Sequence, residues 1–224
     1  MVKEYAQIIG RTPAALNLKI GNLGSFDPVL RTKGIVGLTH TSKRDEEIWN
    51  EFFDNPEKLA YESEKIIAEL KHQPIEESVA IDLSNLPEGT ERTAIVRQRV
   101  NQRFFHDAVF CSYENRCCIT GINQSPLLEA CHISSWKSDV KNRTNPKNGL
   151  CMNILFHRAY DSYLMAVTPD YDILISEQMI DATKEDTFRQ YLQGLNGKQI
   201  ILPEKFSPDK DLLAIHYEQF RQNT

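Results

Sequence analysis

His132 closes a short apolar run, Leu128–Ile133, and further on His157 and Asp161 stand four residues apart in a segment with helical character. A separation of four puts both side chains on one helical face. Between these pieces runs a polar loop with four cations, Lys137, Lys141, Arg143 and Lys147, which ends at Asn148-Gly149. Strand, loop and helix therefore follow one another within one short stretch, with a titratable or metal-binding side chain at each end. That order makes the C-terminal half an α+β unit.

The rest of this half fits the same class. A helix is expected over about 97–113, with Phe104, Phe105, Ala108 and Val109 on its apolar face and Arg97, Arg99 and Arg103 as its cations. Cys117–Thr120, turned by Gly121, reads as a β-like segment, and a helix is expected from about Leu150 to Asp161. Val167-Thr168, Tyr171–Ile175 and Gln199–Leu202 read as later strands, with helices near 184–193 and 209–221.

The N-terminal part carries only helical signals. Tyr5–Ile9 is a short amphipathic run. Thr12 reads as an N-cap with Pro13 in the first helical position, and the helix should run from Ala14 to Ile20 and end at Gly21-Asn22. Helix, tight turn, helix is the grammar of a helix-turn-helix, on which Arg11, Asn17 and Lys19 would be the DNA-capable residues. Ser42 before Asp45-Glu46-Glu47 starts another helix, whose stripe of Ile48, Trp49, Phe52 and Phe53 is expected in the core. Asn55-Pro56 caps the next, with Leu59, Ile66, Ile67 and Leu70 at helical spacing. Residues 73–92, acidic and holding two prolines, read as a linker. The expected organisation is a helical domain at 1–72, that linker, and a second domain at 93–224.

Net charge is −5, yet it alternates along the chain. Residues 1–44 carry +5, 45–91 carry −11, 92–161 carry +5 and 162–224 carry −4. Both basic blocks coincide with the motifs above, and basic surface attracts phosphate. No apolar run approaches the ~18 residues of a membrane span. The first residues show no secretory leader, and five unevenly spaced cysteines do not make a disulfide framework. A cytoplasmic protein with reduced thiols is expected.

A strand histidine facing a helical His/Asp pair can set a base and a metal-ligand pair around one phosphate. The order of residues resembles the HNH endonuclease family, whose fold is the ββα-metal unit. The resemblance rests on Leu128-Glu129-Ala130-Cys131-His132-Ile133-Ser134-Ser135-Trp136, on Arg143-Thr144-Asn145-Pro146-Lys147-Asn148-Gly149-Leu150, and on His157-Arg158-Ala159-Tyr160-Asp161. Upstream, Arg99, Gln102 and Phe105, then Cys117 or Cys118 with Thr120 and Gly121, match further family positions. The segment 5–70 is similar to the region that precedes the domain in restriction-type proteins.

This resemblance implies a role for each residue. His132 is the general base, Asn148 fixes the loop and the orientation of His132, and His157 and Asp161 hold one divalent metal ion. Mg2+ is the first expectation, with Mn2+, Ni2+ or Zn2+ as alternatives. From their places on the basic helices and loop, and not from the resemblance, Arg11, Lys19, Arg99, Lys141, Arg143 and Lys147 are the candidate contacts to double-stranded DNA, and a homodimer on DNA is expected because each chain carries one site. The implied product ends are 5′-phosphate and 3′-hydroxyl.

Three positions depart from the family pattern. Cys131 stands where relatives have an Asp or His ligand, and reads as core beside Ile133 rather than as a ligand. Tyr163 stands where a Gly is common, so a different turn is expected, and His106 replaces an Arg. The alternatives are a DNA-binding module with a decayed HNH site, and a protein-interaction effector whose basic blocks meet an acidic partner. The cysteines form no paired C-x-x-C, which argues against structural zinc, and neither Cys131 nor Cys151 has a nucleophile's context. His40, His72 and His216 read as surface or structural.

Overall fold

The structure, a computed structural model, describes residues 2–35, 37–38, 41–79 and 89–223. Residues 80–88 of the expected acidic linker, and His40, lie outside them. The chain divides into two compact units, 1–101 and 102–224. Among the described residues no helix is long and apolar enough to cross a membrane.

The first unit is helical: α1 (Val2–Ile8), α2 (Pro13–Gly24), α3 (Pro28–Thr32), α4 (Lys43–Phe52), α5 (Pro56–Leu70), α6 (Ile75–Ser78) and the first part of α7 (Thr90–Ser112). The starts follow their caps. Thr12 accepts from the Ala15 N–H, Asn55 from the Lys58 N–H, and Ser42 forms a reciprocal capping box with Asp45. The ends follow less well. α2 runs through Gly21-Asn22 to Gly24, because a glycine inside a helix costs only about 1 kcal/mol and does not by itself stop it. α7 begins at Thr90, inside the expected linker.

The apolar stripes of this unit are less covered than their spacing implies. Ile48, Phe53, Leu59, Ile66 and Leu70 are exposed, whereas Ala6, Ala60, Ala68, Val96 and Val100 are buried. Short helices meeting through alanines leave the larger side chains at the rim. Trp49 stacks on Phe53, with ring centroids 5.0 Å apart.

The second unit holds the larger core. Phe105, Val109 and Phe110 of α7 pack with β1 (Leu128–His132), β2 (Gly149–Asn153), α8 (Ile154–Asp161), β3 (Met165–Val167) and β4 (Ile173–Ile175). α9 (Glu177–Ala182), α10 (Asp186–Gln193) and α11 (Lys210–Asn223) complete it. β1 pairs antiparallel with β2, Leu128 opposite Asn153 and His132 opposite Gly149, and β3 pairs antiparallel with β4. Gly149 is required here, since an added Cβ would lie 2.3 Å from Val109 Cγ2 and 2.9 Å from Phe105 Cζ.

Several expectations change in this unit. The segment from Leu150 is strand before it is helix. Leu150, Cys151 and Met152 are wholly buried in β2, and the helix starts only after Asn153, whose side chain accepts from the Phe156 N–H. Asn148 therefore precedes a strand, not a helix. Cys117–Thr120 forms no strand but a turn closed by the Gly121 N–H on Cys117 O, tied outward through the Cys118 N–H to Cys151 O. Gln199–Leu202 contributes only an isolated bridge, from Gln199 to Asp172.

The turn after α8 also differs from expectation. Tyr163 adopts φ +54°, the left-handed conformation that favours glycine, so the turn is kept and a tyrosine is forced into it. Its hydroxyl donates to Gln219 Oε1 at 3.0 Å, and its ring lies 5.2 Å from that of His216. Both partners belong to α11, which holds the strained turn from outside.

His216 is itself buried, stacked on Tyr160 at 3.6 Å, with Nε2 donating to Tyr160 O. Burial lowers its pKa from 6.5 to about 4, against the opposing effect of that backbone bond. Above pH 6.5 the imidazole is neutral in both states. As pH falls from 6.5 to about 4 the unfolded chain takes up a proton that the folded chain refuses, so stability is lost across that window. The loss is about 3 kcal/mol from this residue. Denaturant midpoints measured from pH 7 to 4.5 should fall more steeply for the native protein than for His216→Phe.

Candidate active site

Each site residue is placed by the ββα segment. In β1 successive side chains alternate between faces. Glu129 and Cys131 meet α8, while His132 turns to α7, where its ring stacks on Phe105 with centroids 3.6 Å apart and planes 13° from parallel. Trp136 meets the same imidazole edge-on at 5.6 Å.

His132 Nε2 lies 3.0 Å from the carbonyl oxygen of Arg143. A carbonyl only accepts, so Nε2 carries the proton and the lone pair is on Nδ1. Burial lowers the His132 pKa below 6.5, with His157 acting in the same direction and the Arg143 carbonyl and Asp161 opposing. The ring is therefore neutral at pH 7, the form in which it can take a proton.

The loop between β1 and β2 is closed around Asn148, which is wholly buried. Its Nδ2 donates to Ser134 O at 3.0 Å and to Asn142 O at 3.1 Å, and its Oδ1 accepts from the Ser134 N–H at 2.7 Å. Its backbone carbonyl accepts from the Ile133 N–H at 2.9 Å. Asn148 thus fastens the residues just after His132 to the far side of the loop. Arg143 is the second fastening. Its carbonyl holds His132, its Nε donates to Trp136 O at 2.7 Å, and its guanidinium lies over the Trp136 ring at 5.3 Å.

On α8, His157 Nδ1 pairs with Glu129 Oε2 at 2.5 Å, and Nε2 lies 3.4 Å from Asp161 Oδ2. With the Nδ1 proton given to Glu129, the Nε2 lone pair of a neutral ring would face a carboxylate. That gap suits a proton or a cation. Cys131 Sγ, a His157 ring nitrogen and an Asp161 oxygen lie within 4.8 Å of one another. This donor set fits a divalent ion. Cys131 is wholly buried in the core cluster, as expected, and burial pushes its thiol pKa up, with Asp161 and Glu129 adding to the effect. The same sulfur reaches the donor group. Core and ligand were opposed readings of Cys131, and the fold lets one atom satisfy both.

A cleft of about 380 Å³ opens here, with His132, His157, Glu129, Phe105 and Trp136 among its walls. His132 and His157 thus share one opening. Residues 117–168 match the family model described as HNH endonuclease. The C-terminal half carries an HNH endonuclease domain. No curated protein matches the chain. Within the HNH domain the structure brings together His132, Asn148, His157 and Asp161, and it adds Glu129 to them. Glu129 stands in the sequence motif without a role. The available signal was strand alternation, which puts it on the same face as Cys131.

The remaining predicted contacts are more scattered. Lys141 and Lys147 are exposed on the loop of the HNH domain. Arg143 has its Nε and its plane engaged inside the loop, which leaves its terminal nitrogens for a phosphate. In the first unit Arg11 and Arg99 are exposed. Lys19 is paired with Asp45 at 2.8 Å and holds that carboxyl below the usual carboxylate range, so its charge is already answered.

Proposed function

We propose that the protein is a metal-dependent DNA endonuclease of restriction type. The observation that carries this reading is the His132 imidazole, pinned at Nε2 with its Nδ1 lone pair free, in the same cleft as His157, whose Nε2 faces Asp161. His132 Nδ1 takes a proton from a water molecule as the water oxygen attacks phosphorus, the bond from phosphorus to the 3′ oxygen breaks, and the leaving oxygen takes a proton from solvent. The products are a 5′-phosphate and a 3′-hydroxyl. Asn148 and Arg143 keep the imidazole oriented through that proton transfer. A divalent ion held by His157 and Asp161 would supply Lewis-acid stabilisation of the charge gathered on the phosphate. Lys141, Lys147 and the outer nitrogens of Arg143 neutralise flanking phosphates, so binding should weaken steeply with salt. One site per chain cuts one strand at a time, so two chains acting on a duplex is the expected arrangement.

The test is cleavage of supercoiled plasmid with Mg2+, Mn2+, Ni2+ or Zn2+, and with EDTA in place of metal. Metal-dependent nicking supports the reading. Salt-sensitive binding with no cleavage under any metal would replace it with the decayed-site alternative.

Glu129 should act through His157. Replacing it with Gln removes the negative charge that orients Nδ1 and raises the ring's basicity toward an ion. Metal affinity is expected to fall by about 10–100-fold, as for other partners behind a metal-binding histidine. Isothermal titration of wild type and Glu129→Gln measures this directly.

A further inference from the structure

We infer that the ion bound between β1 and α8 is a thiophilic cation of the Zn2+ class, held through Cys131 Sγ together with His157 and Asp161, rather than Mg2+. The inference rests on the metal-dependent reading above and deepens it by naming the ion.

The donor set decides the class. Sulfur, imidazole nitrogen and carboxylate oxygen converge within 4.8 Å. Zinc bonds to these three atom types at roughly 2.0–2.3 Å, so donors on one tetrahedral ion sit about 3.5 Å apart. His157 Nε2 and Asp161 Oδ2 already lie 3.4 Å apart. Mg2+ instead demands a near-octahedral shell of oxygens and usually keeps several waters. The Cys131 side of this site offers no room for them, because that residue is wholly buried. A thiolate is also a poor partner for Mg2+.

Two further features agree. The Glu129–His157 pair is the carboxylate–histidine arrangement found behind zinc-binding imidazoles. One thiolate and one carboxylate would balance the charge of a divalent ion. On binding, the Sγ–H bond breaks, the proton leaves to solvent and the sulfur lone pair goes to the metal.

The experiment uses the full chain in a Cys111→Ser background, which removes the exposed thiol. Titration with Co2+ should give one bound ion and a near-ultraviolet thiolate-to-cobalt charge-transfer band, which Zn2+ then abolishes by displacement. X-ray absorption of the zinc form should show one sulfur at about 2.3 Å. Cys131→Ser should lose both the band and the sulfur. In Cys131→Asp, Mn2+ should compete against Zn2+ at least tenfold better than in the parent. Should the buried substitutions fail to fold, X-ray absorption of the parent protein decides alone. An ion bound in a shell of only nitrogen and oxygen, or a band that survives Cys131→Ser, overturns the inference and leaves the nuclease reading in place. Failure to bind Co2+, Zn2+, Mn2+ or Mg2+ at all overturns both.

Discussion

Replacing His132 with alanine is expected to slow DNA cleavage by about 10²–10⁴-fold, the usual contribution of a positioned general base. The size follows from how its imidazole is held. Its Nδ1 is the free lone pair, because Nε2 is committed to the Arg143 carbonyl. The His157 imidazole has Nδ1 on Glu129 and Nε2 toward Asp161. Metal affinity should be nearly unchanged, since His132 faces α7 and the donors face α8. That split distinguishes loss of the base from loss of the site. Single-turnover cleavage of a labelled duplex, alongside metal titration of both proteins, measures the two quantities. Equal cleavage by the variant would remove His132 from the mechanism.

Asn148→Ala should have the largest effect on stability. The change strips partners from the Ser134 N–H, the Ser134 carbonyl and the Asn142 carbonyl at once. Ser134 and Asn142 are half-buried, so each orphaned group costs less than the ~1–3 kcal/mol of a fully buried one, and a total of about 3 kcal/mol is expected. Asn148→Asp is the informative companion. A carboxylate can still accept from the Ser134 N–H, but it buries a charge and turns an oxygen toward two carbonyls, so it should destabilise at least as much as alanine. Urea unfolding of the three proteins checks the order. Where Asn148→Ala still folds, cleavage should fall further than stability alone requires, because the loop that carries the Arg143 carbonyl is no longer fastened beside His132.

Local signals account for what the sequence made legible. Thr12-Pro13, Ser42 with Asp45, and Asn55-Pro56 each mark a helix start through a bond made within three residues, and each start is found where it was read. His132, Asn148, His157 and Asp161 carry the family pattern in their order and spacing, and all four fall within the matched residues 117–168. What failed depended on distant partners. Leu150-Cys151-Met152 is apolar throughout, which suits a buried helix as well as a buried strand. Only its pairing with β1 makes it a strand. Cys117–Thr120 has strand-like residues but takes its hydrogen bonds from a turn and from Cys151. Glu129 gained a role only once α8 was folded against β1. Tyr163 is the reverse case, a local rule overridden because α11 holds the residue in place.

The alternation of β1 assigns opposite duties to neighbours. Cys131 leans toward His157 and Asp161 on α8 and His132 toward α7, with one peptide bond between them. A single-residue insertion or deletion in this five-residue strand would slip its register and exchange the two faces, handing the imidazole to α8 and the thiol to α7. The spacing from Glu129 to His132 is therefore far less tolerant of length change than the cationic loop that follows, and length variants are expected to accumulate in the loop and be purged from the strand.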